Sequence, residues 1–242
     1  MDIYRDVPCH CALGSIYQVL HAWGINVEEE IPWIRPWLMR YQMADGGLSC
    51  DNGAYLVKDE VPSSMVGTIA AFEAILLCTD REFTAEEKTF LRRGADFLIG
   101  RKLSEGSCTH HNAEERTEAL GWKAPFFPRF YFYDTLRGLR ALLRWSEKMK
   151  EPIPCESIAG VWRDLADTFG QAGVKNAGKQ YAGARSFERT PSGEWTWGSA
   201  KVFPLLECCD QAGEVSPYLE RQWKEVGDLM AANPSLQDLR GG

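Results

Sequence analysis

Apolar positions along this chain recur at spacings of three and four rather than alternating, which predicts helices and leaves almost no strand signal. CALGSIYQVLHAW, residues 11–23, is apolar over most of its surface and stops at Gly24, a residue suited to a C-cap. IPWIRPWLMRYQM (31–43) follows. Its Pro36 fits only near a helix start, and Asp45-Gly46-Gly47 ends it with a turn. A third helix is expected over 63–78, capped by Ser63 or Ser64. A fourth is expected over 83–103, where Thr84 and Glu87 have the spacing of a capping box. The second half predicts helices over 131–149, 157–173 with Ser157 as cap, 200–213 with Pro204 starting or kinking it, and 216–232. QAGVKNAGKQYAGARSFERTPSG (171–193), rich in glycine and small polar residues, reads as a mobile loop near a cavity mouth rather than a phosphate cradle, which a strand would precede.

These eight segments pair into four hairpins. The odd-numbered ones are apolar nearly all round, whereas the even-numbered ones carry charge on one face, as with Glu86, Lys88, Arg92, Arg93 and Asp96. An inner set of helices wrapped by an outer set satisfies both patterns. GTIAAFEAILL also aligns with DTLRGLRALLR, placing Thr68 on Thr135 and Leu76 on Leu143, so the hairpins read as a repeat whose members bury their faces only by stacking. The expectation is one all-α domain over residues 1–242.

Composition supports that picture. A chain of 242 residues with 45% hydrophobic and 25% charged side chains can bury a substantial core. The net charge of −7 argues against a nucleic-acid partner, which would require a basic stripe. No apolar run approaches the roughly 20 residues of a membrane span. MDIYRDVPCH lacks the basic and then apolar regions of a secretory signal, so a cytoplasmic protein with reduced thiols is expected. The 8 cysteines contain no CxxC, and neither GxSxG nor GxxxxGK[ST] occurs.

Three blocks carry a resemblance: WLMRYQMADGGLSC, SSMVGTIAAFEAIL and FPRFYFYDTLRGLRALL, with LIGRKL between the last two. Over roughly residues 11–206 the chain resembles the terpenoid cyclase and protein prenyltransferase superfamily, and more closely the bacterial squalene-cyclase-like, prenyltransferase-repeat proteins. The resemblance implies an α/α toroid, inner helices around a central cavity that holds an apolar, isoprenoid-type small molecule. Four hairpins fall short of a full toroid, so the ring would be open or completed by a second copy of the chain. The chain also departs from the pattern. Leu48 stands where a Trp follows Asp-Gly-Gly in the QW repeat; Val66 or a neighbour and Phe132 stand where relatives often carry histidines; and no Asp-Asp pair exists for an Asp-Asp-x-x-Asp motif. The cyclase Asp-x-Asp-Asp acid is also missing, which weighs against catalysis.

The candidate site residues follow from both readings. Tyr133, Asp134 and Arg137 would share one face of the 131–149 helix, Asp134 as a base or cation stabiliser and Arg137 as a diphosphate clamp. Alternatively, Asp134 caps the helix and pairs with Arg137. Phe130, Tyr131 and Trp197 would line an apolar cavity. Cys50, Asp51 and His110, with Cys9 and Cys11 near the same end, are candidate zinc ligands, since protein prenyltransferases use one Asp, one Cys and one His. The alternative for these cysteines is burial as small apolar residues. A helical scaffold binding a protein or peptide, and a zinc-dependent transferase using the Cys50 end, are the competing functions.

Overall fold

The computed structural model describes residues 9–170, 173–178, 185–199 and 204–240. Its helices, in chain order, are α1 (His10–Ala22), α2 (Val27–Glu30), α3 (Ile34–Arg40), α4 (Met65–Leu77), α5 (Ala85–Gly100), α6 (Glu115–Glu118), α7 (Thr135–Met149), α8 (Cys155–Phe169), α9 (Pro204–Cys209) and α10 (Pro217–Ala232). The chain is mostly helical, as expected. The helices form two layers: α1, α4, α7 and α10 pack side by side in chain order, and α3, α5 and α8 form a second row against them. The eighth predicted helix, α10, was expected in the outer row but packs on α7 in the inner one.

Several boundaries are set by the expected chemistry. Thr84 and Glu87 close a reciprocal capping box on α5, and Ser64 caps α4 by accepting from the Gly67 N–H. Ser216, not singled out from the sequence, caps α10 with Pro217 at its first position. Pro36 is the third residue of α3, where its missing N–H costs nothing. Other boundaries differ. α7 begins at Thr135 rather than 131, because Asp134 caps it and leaves the preceding aromatics outside the helix. Ser157 lies inside α8, donating back to the Pro154 carbonyl at 2.6 Å, so the cap position is Pro154. Residues 185–189, expected in a loop, form strand β1 (Arg185–Arg189), antiparallel to β2 (Trp195–Ser199), with Phe187 opposite Trp197. Parts of the 171–193 and 200–213 segments lie outside the described residues.

The aligned repeats are also out of register. Thr135 is the first residue of α7 and donates to the Trp122 carbonyl, while Thr68 is the fourth of α4 and donates to the Ser64 carbonyl. A three-residue shift turns a helix face by only about 60°, so the apolar pattern matches almost equally well either way.

The DGG turn is an anchoring device. The Gln42 amide donates to the carbonyls of Gly46 (2.9 Å) and Phe90 (2.8 Å), fastening the turn to α5. Asp45 accepts from the Gly47 N–H and the Ser63 hydroxyl. Gly46 sits at φ +90°, and a Cβ there would lie 2.0 Å from the Arg93 carbonyl oxygen, so both conformation and space require glycine. Leu48, in place of the expected Trp, is wholly buried. Close approach recurs between α1 and α4, where a Cβ on Gly14 would fall 2.3 Å from the Ala70 carbonyl carbon.

Buried ions tie the rows together. Arg35 of α3 donates to Glu87 (2.6 Å), to the Thr79 hydroxyl (2.6 Å) and to the Tyr17 hydroxyl of α1 (3.0 Å). Burial pushes the Glu87 carboxyl up, but Arg81, the Thr84 N–H and Arg35 outweigh it and hold its pKa at about 2. Glu115 is the opposite case. It accepts from the Met65 N–H at the start of α4 (2.6 Å) and from Arg101 (3.3 Å), yet burial dominates and lifts its pKa to about 7.

These shifts have opposite signs in the pH dependence of stability. Glu115 binds a proton more tightly folded than unfolded, so its contribution falls as pH rises from 4.5 to about 7, by up to about 3 kcal/mol. Glu87 contributes above pH 4.5 and loses that contribution as pH falls towards 2. Urea unfolding of Glu115→Gln should show a flatter stability profile between pH 5 and 8 than the parent; an unchanged slope would remove Glu115 as its source.

Candidate functional site: an aromatic groove and a thiol cluster

All four inner helices face one groove of about 520 Å³. α1 supplies Ala12, Ser15, Ile16 and Val19, α4 supplies Glu73, α7 supplies Arg137 and Arg140, and α10 supplies Tyr218 and Gln222. The segment 127–131 forms the remaining wall. Ile16, Val19, Phe130 and Tyr131 keep between 44% and 58% of their surface exposed, a concentration of accessible apolar area on one side of the molecule. A larger cavity of about 770 Å³ lies beside Glu28, Glu29, Asp80 and Arg81. There Arg81 is already paired with Glu28 and Glu87, and an apolar wall of this kind is lacking.

The floor of the groove is ionic, with its buried guanidinium groups paired internally. Arg137 donates to Glu73 through Nε (2.8 Å) and a terminal nitrogen (2.6 Å), and to the Phe132 carbonyl (2.7 Å). Arg129 grips Asp134 through two nitrogens and donates to the Gln222 side chain, whose amide donates to the Tyr218 hydroxyl at 3.0 Å. Tyr218 in turn stacks on Phe127 with ring centroids 4.1 Å apart. Phe130 sits at φ +49°, a left-handed conformation in a non-glycine residue, at the groove wall.

The residues proposed from sequence separate in space. Arg137, Phe130 and Tyr131 meet at the groove. Asp134 is wholly buried. It caps α7 through the Arg137 N–H at 2.8 Å, but its ion-pair partner is Arg129 rather than Arg137. Tyr133 lies before α7, so the three do not share a helix face. Its hydroxyl donates to the Leu103 carbonyl (2.7 Å), its ring meets Trp122 edge-on, and burial drives its pKa well up. Trp197, on the exposed hairpin, is not among the groove walls. Sequence reasoning missed Glu73 and Arg129. A lone carboxylate in MVGTIAAFEAILL was the available signal, since a buried charge demands a cation.

At the N-terminal end of α1, three cysteines converge. The sulfurs of Cys9, Cys11 and Cys50 lie within 4.8 Å of one another, Cys9 and Cys11 at 2.9 Å, and the Cys11 N–H donates to the Cys50 sulfur at 3.3 Å. Thiol donation from Cys11 and Cys50 stabilises a thiolate on Cys9 and lowers its pKa. Donation by Cys11 to Cys50 and Cys9 raises its own. Cys50 is lowered by Cys11 but raised more by its bond to Cys9 and by burial. His10 is buried and kept neutral by burial, with Nδ1 donating to the Ser49 carbonyl at 2.7 Å and Nε2 without a partner. Tyr131 lines the groove, and burial, then the charges of Cys11, Cys9 and Cys50, push its hydroxyl pKa up.

Asp51 and His110 stand outside the cluster. Asp51 caps a turn through the Gly53 N–H (2.8 Å) and meets His111, not His110, at 2.5 Å. His110 is exposed, and its backbone N–H donates to Glu60 at 2.8 Å. The Asp-Cys-His set implied by the resemblance therefore does not assemble. No protein-family model matches this chain, and no curated protein or solved structure matches it either.

If the Glu73–Arg137 pair holds the groove floor, Glu73→Ala strands a buried guanidinium and should cost about 3–5 kcal/mol in urea unfolding. Replacing both residues by Met should recover most of that loss. A single-mutant loss below about 1 kcal/mol, typical of an exposed ion pair, would deny the pair this role.

Proposed function

We propose that the protein binds an elongated apolar small molecule, of isoprenoid type, in the groove between α1 and the 127–131 segment, within a partial α/α-toroid frame. The observation that carries this reading is the accessible apolar wall of Ile16, Val19, Phe130 and Tyr131 facing a common cavity. Its volume of about 520 Å³ suits a ligand of this size. Binding is favoured over turnover. Both oxygens of Asp134 are engaged by Arg129 and the start of α7, Arg137 is held by Glu73, and Tyr133 is spent on a backbone carbonyl, so the base, the clamp and the phenol expected from the sequence are each committed to structural bonds. No helix among the described residues is long and apolar enough to cross a membrane.

Native mass spectrometry of protein purified without detergent should show a co-purifying apolar molecule, and a dansyl-labelled prenyl alcohol should bind with a fluorescence rise. Ile16→Asp and Phe130→Ala should each weaken that binding at least about tenfold with little change in thermal stability. Equal affinity in parent and Ile16→Asp would exclude the groove.

A further inference from the structure

We infer that Cys9, Cys11 and Cys50 form a zinc site, three thiolates on one ion with the fourth position left to a non-cysteine ligand. This goes beyond the groove reading and does not depend on it.

The geometry is that of ligands gathered before the metal arrives. A tetrahedral ion with bonds of about 2.3 Å holds its sulfurs about 3.8 Å apart. The three sulfurs already lie within 4.8 Å of one another, and Cys9 and Cys11 stand at 2.9 Å, so a small rearrangement of side chains suffices. Three sulfurs held this close have no packing purpose that apolar side chains would not serve better, because each pair forces a donor and an acceptor into proximity. The elements also suit an anionic ligand set. Cys9 is the N-cap of α1 and Cys11 lies in its first turn, where the peptide dipoles favour negative charge. The Cys11 N–H donates to the Cys50 sulfur, a bond that persists when the sulfur is a metal-bound thiolate. His10, between the two helix ligands, is turned away and fixed by the Ser49 carbonyl beside Cys50, so the two strands of chain that carry the ligands are tied together independently of any ion.

Binding balances simply. Zinc takes all three cysteines as thiolates, and each thiol proton displaced on binding leaves to solvent. Cys9 and Cys50 are part-exposed while Cys11 is buried, so the ion would be reachable from one side. Ala12 and Ser15, next along α1 after Cys11, line the groove, which places the site at the groove's end. The remaining cysteines, among them Cys78, Cys108 and Cys155, take no part.

The test uses the full chain. Elemental analysis of protein purified without chelator should give about one zinc per chain. Chelator-treated protein that keeps its helical circular dichroism should take up cobalt and show thiolate-to-cobalt charge transfer with the visible bands of a tetrahedral ion. Cys9→Ser, Cys11→Ser and Cys50→Ser should each weaken zinc binding by roughly a hundredfold or more, whereas Cys108→Ser and Cys155→Ser should not. Should the serine variants fail to fold, Cys50→His, which restores a ligand, should bind cobalt with shifted bands. Substoichiometric zinc without cobalt charge transfer would overturn the site. So would a Cys9–Cys11 disulfide found in place of metal, or a Cys9→Ser variant that binds as the parent does.

Discussion

Two guanidinium groups that cannot be left alone organise the inner row. Arg129 and Arg137 are both buried, and an unpaired cation there would cost several kcal/mol. Asp134 and Glu73 answer them, and each answer crosses an element boundary: Glu73 brings α4 to α7, while Arg129 draws the 127–131 segment onto α7 and, through Gln222, onto α10. The apolar wall of the groove stands on this ionic floor. Dispersion and burial fill the core between the rows, but they would tolerate many relative placements of the helices; the charge pairs tolerate few.

The same economy appears at Glu87, which completes a helix cap while receiving Arg35 and Arg81. One carboxylate thus fixes the start of α5, the position of α3 and the chain after α4. Polar groups in this protein are concentrated at such junctions, and the thiol cluster is another. It joins the start of α1 to the chain that follows the DGG turn.

Legibility in the sequence followed the range of the interactions. Thr84 with Glu87, and Ser64, act within one turn, so their caps and the helices they begin could be read directly. The start of α7 was misplaced because FYFYDTLRGL is apolar enough to continue a helix; the side chain of Asp134 bonding the Arg137 N–H decides otherwise, and Arg129 locks it there. The strand at 185–189 was missed because Arg-Ser-Phe-Glu-Arg carries little of the apolar alternation that marks a strand. Gln42 and the DGG turn kept their architectural role despite Leu48, because the Gln42 amide serves two carbonyls rather than an indole ring. Cys9 and Cys11 announce themselves as a pair, whereas Cys50 is 39 residues from Cys11, a closure only the packed helices reveal.

Phe130 has a consequence for how the groove meets a guest. A left-handed backbone at a residue with a Cβ lies about 1–2 kcal/mol above its helical alternative. That cost is carried by the fold itself, with Arg129 clamped on one side of the residue and Tyr131 stacked on Phe132 on the other. The stretch of backbone that carries the ring is therefore set before anything enters. For the ligand proposed above, little ordering of this part of the wall would remain to be supplied, and selectivity would be that of a mould rather than of a closing hand.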